Sequence, residues 1–243
     1  TNKAVEELVN HGFENVRWIE NDNECIYTIE NNVYRAQGVG IAQALDIIQK
    51  HGLPTEKRCK IIVTHLEVPE LSLTYQPNEC GTIGVADKRR WETSYEVGDS
   101  WDSIKKEKAK NSSRFKVDIL VYPQLSFKNL IITQIYQVLF TLNPAIEVSL
   151  WPGMKLTGQV IIPVYNDGYG YLQDKVHPGF ITLSQRFRLP YNIKGKATIG
   201  YFSADRYGAD LMLFYPFKDE RFSLEGRIGA VAIGYWNGFK LHY

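Results

Sequence analysis

The stretch that most constrains the fold is 115–127. Phe115, Val117, Ile119, Val121, Pro123, Leu125 and Phe127 occupy its odd positions, and the even ones hold Lys116, Asp118, Tyr122, Gln124 and Ser126, with Leu120 the exception. Side chains alternate across a β-strand, so this pattern predicts one apolar face and one polar face. Its length is unusual. Strands of soluble proteins average about 5–6 residues, whereas a tilted strand that crosses a bilayer takes about 9–11.

The same alternation recurs down to the last residues. Met154, Leu156, Val160, Ile162 and Val164 oppose Lys155, Thr157 and Gln159, and Ile181, Leu183, Phe187 and Leu189 oppose Thr182, Ser184, Arg186 and Arg188. Ile193, Ala197, Ile199 and Tyr201 oppose Lys194, Lys196 and Thr198, and Phe222, Leu224, Ile228, Ala230 and Ala232 oppose Ser223, Glu225 and Arg227. A further strand is expected over 130–142, and a last one on Phe239, Leu241 and Tyr243. Short turns between them, such as Trp151-Pro152-Gly153, Pro190-Tyr191-Asn192 and Lys218-Asp219-Glu220, predict antiparallel neighbours. The expectation for 115–243 is therefore an all-β antiparallel meander of about eight or more strands. A transmembrane β-barrel is the first choice and a soluble β-rich domain the alternative.

Residues 1–80 carry different periods. Ala4, Val5, Leu8 and Val9 form a helical stripe over 3–10, and Ile41, Leu45 and Ile48 form another over 38–50 that stops at Gly52 and Pro54. Between them 16–19 and 25–29 read as a hairpin, and 60–66 and 71–75 read as further strands, separated by Pro69. This predicts an α+β domain. Residues 81–114 interleave acids with Lys88, Arg89, Arg90, Lys105, Lys106, Lys108 and Lys110, without apolar periodicity, and read as a charged linker.

The net charge of +1 gives no reason to expect nucleic acid. No apolar run reaches 18 residues, so no transmembrane helix is expected, a criterion to which barrel strands are blind. Cys25, Cys59 and Cys80 match no metal spacing. Buried thiols are expected, with a Cys59–Cys80 disulfide as the alternative in an oxidising compartment. No nucleophile elbow or phosphate loop occurs, and His65 with Glu67 reads as a surface pair. We therefore expect no catalytic residues, no metal and no cofactor. If the polar face lines a lumen, its candidate glycan-facing residues are Lys116, Asp118, Lys155, Arg186, Arg188, Lys194, Lys196, Asp210 and Arg227, a surplus of cations suited to an acidic polymer.

Several short stretches together resemble the YjbH family, the YmcA/GfcD-like outer-membrane proteins of exopolysaccharide and capsule biosynthesis. They are Gly12-Phe13-Glu14-Asn15-Val16, Glu30-Asn31-Asn32-Val33-Tyr34-Arg35, the helix 40–48, Lys60-Ile61-Ile62-Val63, Lys116 through Pro123, Leu156-Thr157-Gly158, Gly200-Tyr201-Phe202, Arg206-Tyr207-Gly208-Ala209-Asp210, and Phe222 through Gly229. The resemblance implies an outer-membrane β-barrel with a periplasmic N-terminal domain, serving export or assembly of extracellular polysaccharide. Its implied partners are outer-membrane lipid, the polysaccharide and other proteins of an export system. Family members are longer, so the barrel is expected either to be a compact version or to continue beyond 243.

Overall fold

In the computed structural model, residues 2–54, 56–75, 91–129, 132–202 and 205–243 are described. Cys80, the Lys88-Arg89-Arg90 run and Leu130 lie outside them. The chain divides into two compact units. The first comprises Thr1–Ser113, Arg188–Lys194 and Phe214–Leu224, and the second comprises Arg114–Phe187, Gly195–Leu213 and Glu225–Tyr243.

The first unit is built on a five-stranded sheet in the order β1-β2-β3-β4-β5. Helix α1 (Lys3–Asn10) is capped by Asn2, whose side chain accepts from the Ala4 N–H at 2.9 Å. Strands β1 (Glu14–Glu20) and β2 (Glu24–Glu30) pair as the expected hairpin. Helix α2 (Gln37–Lys50) then crosses over to β3 (Arg58–His65), which lies parallel to β2. β4 (Val68–Tyr75) and β5 (Trp91–Ser94) complete the sheet in antiparallel sense. Side chains of α1 and α2 share one core with Cys25, Tyr27, Ile29, Cys59, Ile61 and Val63. The opposite face, with Ile26 and Ile62, packs against Val97 and Ile104 of the α3 region, where α3 is Gly98–Ile104.

Residues 91–113 are thus not a linker. Ile104 is completely buried and Val97 nearly so, which places one more strand and one more helix in the first domain. The helix has only seven residues, too few for its two apolar anchors to register as a period. Pro69 is likewise no separator, because it falls inside β4. The turn before it is made by Leu66 and Glu67, both at positive φ (52° and 63°), the conformation of a two-residue hairpin loop that normally recruits Asn or Gly. The buried Glu30 carboxylate stabilises it, accepting from the Leu66 N–H at 2.8 Å and the Glu67 N–H at 3.0 Å.

The second unit is an antiparallel meander of seven strands, β12-β11-β10-β9-β8-β7-β6. They are β6 (Val117–Lys128), β7 (Gln137–Val148), β8 (Met154–Asp167), β9 (His177–Arg188), β10 (Lys194–Phe202), β11 (Arg206–Pro216) and β12 (Ser223–Ile233). Their lengths, 9 to 14 residues, match the long alternations in the sequence. The strand expected over 130–142 instead runs on through Pro144 to Val148. The closing alternation of Phe239, Leu241 and Tyr243 is not a further meander strand. It belongs to a short hairpin, β13 (Tyr235–Asn237) with β14 (Lys240–His242), turned at Gly238, whose φ is +60°. β6 and β12 are the edges of the sheet and do not pair with each other.

Candidate functional site

The two faces of the seven-stranded sheet are chemically opposite. Cross-strand register aligns Ile119 with Ile146, Ile146 with Gly158 and Gly158 with Ile181, and aligns Val117, Val148, Leu156 and Leu183 in the next such row. These apolar rows are open to the surroundings. Ile119, Ile146, Ile162, Ile181, Ile199 and Ile228 keep between 38% and 72% of their surface exposed. The alternate row joins Asp118, Glu147, Thr157 and Thr182. On this face Gln137, Thr141, Asn143, Gln159, Ser184 and Thr198 are all 9% exposed or less, and the apolar Leu139 and Ala145 are buried among them.

The polar face frames a half-open cavity of about 550 Å³. Its lining draws on every strand: Tyr122 and Gln124 from β6, Asn143 and Glu147 from β7, Thr157 and Gln159 from β8, Phe180 and Thr182 from β9, Lys196, Thr198 and Phe202 from β10, Asp210 from β11 and Arg227 from β12. A flat sheet of seven strands would hold its edges roughly 29 Å apart, six spacings of about 4.8 Å, whereas a sphere of this volume is only about 10 Å across. For β6 and β12 to line one cavity, the sheet has to curl strongly around it.

Asn143 donates through Nδ2 to Gln124 Oε1 at 3.0 Å. Its own Oδ1 is buried without a hydrogen-bond partner among the described residues, an arrangement that costs free energy unless a donor arrives. Arg227 pairs with Asp210, and Lys155 with Glu147. Lys196 has no ion-pair partner among the described residues and feels the charges of Arg186, Lys155, Asp210 and Arg227. The cavity therefore offers amides, hydroxyls and two phenylalanine rings, with most of its charge already compensated.

Of the nine residues expected on a lumen face, Lys196, Asp210 and Arg227 line the cavity. Lys155 reaches it through Glu147, Asp118 sits beside Glu147 in register, and Arg186 contributes to its field. Lys116 precedes β6 and is not part of the lining. Arg188 and Lys194 belong to the first unit. The Arg188 guanidinium donates to the carbonyls of Pro69 at 3.0 Å, Glu70 at 3.3 Å and Tyr95, and to Asn192 Oδ1 at 2.7 Å. Lys194 lies over the rings of Tyr95 and Phe214 at 4.8 and 4.9 Å. Period-two alternation assigns a face but not where the strand stops serving it, so these two ends were misplaced.

Asn143 and Glu147 were missed because the strand was expected to end at 142, whereas β7 runs to Val148. Phe180 and Phe202 were missed because they are apolar residues on the polar face. His65 and Glu67 are no surface pair either. Glu67 is buried and its carboxylate accepts from Arg17 at 2.7 Å. Comparison with family models, curated proteins and solved structures finds no match.

Proposed function

We propose that this protein is a non-enzymatic outer-membrane β-barrel component that takes part in export or assembly of extracellular polysaccharide, with its first unit in the periplasm. The observation that carries the reading is the reversed sidedness of the meander. Burying an Ile or Leu side chain is worth about 1.5–3 kcal/mol, so leaving about a dozen of them half exposed to water forfeits roughly 10 kcal/mol. That is comparable to the whole stability of a domain, about 5–15 kcal/mol. Hydrocarbon removes the penalty, and strands of 9 to 14 residues are long enough to cross it. The curl of the sheet, the polar cavity and the resemblance to outer-membrane polysaccharide proteins support the same conclusion.

The lining recasts the substrate. Lys155 and Arg227 are neutralised by Glu147 and Asp210, so the grip on a glycan rests on Gln124, Asn143, Gln159 and the threonines meeting sugar hydroxyls. Lys196 is the cation left for an acidic group. Refolded into detergent or lipid vesicles, the chain is expected to stay folded in SDS until boiled and to change gel mobility on heating. A chain that stays in solution without detergent and migrates identically before and after boiling overturns the proposal and leaves a soluble glycan-binding role.

A further inference from the structure

A second site lies in the first unit and involves neither the polar cavity nor the membrane. β2 and β3 run parallel, and their register sets Cys25 directly beside Cys59. Parallel neighbours point to the same face, and both residues belong to the core under α1 and α2. Strands about 4.8 Å apart place paired Cα atoms inside the 4.4–6.8 Å range that a disulfide spans. Both thiols are free and buried, and each shifts the acidity of the other. They differ in access. Cys59 is fully enclosed, whereas Cys25 lines a pocket of about 380 Å³ together with Trp18, Tyr27, His51 and Pro54.

We propose that Cys25 and Cys59 are a reversible dithiol–disulfide pair, with Cys25 the attacking thiol and Cys59 the resolving one, oxidised by a small disulfide that enters this pocket. The Cys25 thiolate attacks one sulfur of the incoming disulfide. A mixed disulfide forms and one thiolate leaves. Cys59 then gives up its proton and attacks Cys25 Sγ, releasing the second thiolate. Two protein thiols are oxidised as one external disulfide is reduced to two thiols. The electrostatics fit these roles. The Cys59 thiol, and then the Trp18 indole N–H at 3.1 Å, hold Cys25 down to about 7 from the ordinary 9. Cys59, on the donating side of its contact with Cys25, is pushed up by that contact together with burial. A nucleophile is activated this way, and the resolving thiol stays protonated until the first has reacted.

The test incubates the full chain, as wild type and as Cys80→Ser, with 2-hydroxyethyl disulfide. The reaction is then quenched in acid, alkylated and mapped by mass spectrometry. The expected product is lighter by two hydrogens, carries a Cys25–Cys59 linked peptide, and reverts with dithiothreitol. In Cys59→Ser the reaction is expected to stop with one mercaptoethanol on Cys25. Thiols that remain reduced, a mixed disulfide on Cys25 that persists although Cys59 is present, or linkage only through Cys80 in the wild type would each overturn the pair. Because the readout is covalent, it is independent of where the meander resides.

Discussion

The two units use the same period-two alternation to opposite ends. In the first, apolar positions of the sheet turn inward on both faces, Ile61 toward α1 and α2 and Ile62 toward α3, and both are fully buried. In the second, the buried row is Thr141, Asn143 and Gln159, and the exposed row is Ile119, Ile146 and Ile181. Alternation alone therefore specifies a strand and its two faces but not which face is solvent. Helices decide that in the first unit by covering the apolar faces. No helix covers the apolar face in the second, where the described residues hold one short 3₁₀ turn, Tyr171–Asp174. Under the proposed function, the first unit is the fold for water and the second the fold for hydrocarbon.

The strongest way to sharpen this contrast is through a polar cluster buried in the first unit. Glu67 and Arg17 pair with side chains only 5% and 7% exposed, and Arg17 also donates to the Glu107 carbonyl at 2.9 Å. Glu67→Ala leaves a guanidinium buried without its counter-charge, a loss of about 3–5 kcal/mol. The double replacement Arg17→Met with Glu67→Leu is expected to recover most of that, as seen by urea denaturation of the full chain. A single variant as stable as the parent would mean that water reaches this cluster and that the unit is less closed than its core implies.

The sequence carried α1 and α2 of the first unit almost to the residue, while α3 went unseen. The stripe of Ala4, Val5 and Leu8 and the Gly52 stop are local signals that tertiary context did not override. Its buried knot was illegible, because it joins residues far apart in the chain. Asn15 reaches Glu30 at 2.8 Å and Ser113 at 2.8 Å, and Glu30 in turn holds the 66–67 turn. No spacing rule links these positions. The polar cavity was half legible for a related reason. Lys196, Asp210 and Arg227 follow from alternation. The departure of Arg188 and Lys194 into the first unit depends on contacts with Pro69, Tyr95 and Phe214, which no strand pattern encodes.

An arginine on the exposed face tests the second half of the contrast. Leu142 is about one-third exposed in the middle of β7, opposite Pro123 and Ile162. In a bilayer, Leu142→Arg is expected to cost about 2–4 kcal/mol near the midplane, read as a lower folded fraction after refolding into vesicles. The same change on a water-exposed sheet would fall within about 0.5 kcal/mol. Arg in place of Thr157, on the cavity side, should spare vesicle insertion. Equal tolerance at both positions would erase the sidedness on which the comparison stands.

The smallest effect concerns the surface of the first unit, where ordinary aqueous electrostatics should apply. Glu7 on α1 accepts from Lys50 at 3.0 Å and from His51, at the end of α2. These hydrogen bonds, His51 first and Lys50 second, hold the Glu7 carboxyl below its usual 4.5. A carboxylate whose folded pKa is depressed adds stability that is complete above its unfolded value and disappears as pH falls through the folded one. Glu7→Gln should therefore lower the urea midpoint slightly at neutral pH, and the gap to the parent should close as pH falls from about 4.5 toward 3. Salt should shrink it as well, since the carboxylate is exposed to solvent and screened. A gap that persists at low pH would assign the contact to packing between the helices. The strand-borne pair of Lys155 with Glu147, whose side chains are 33% and 21% exposed against 64% and 23% for Lys50 and Glu7, should respond less to added salt. A common salt dependence would mean that both units face the same water.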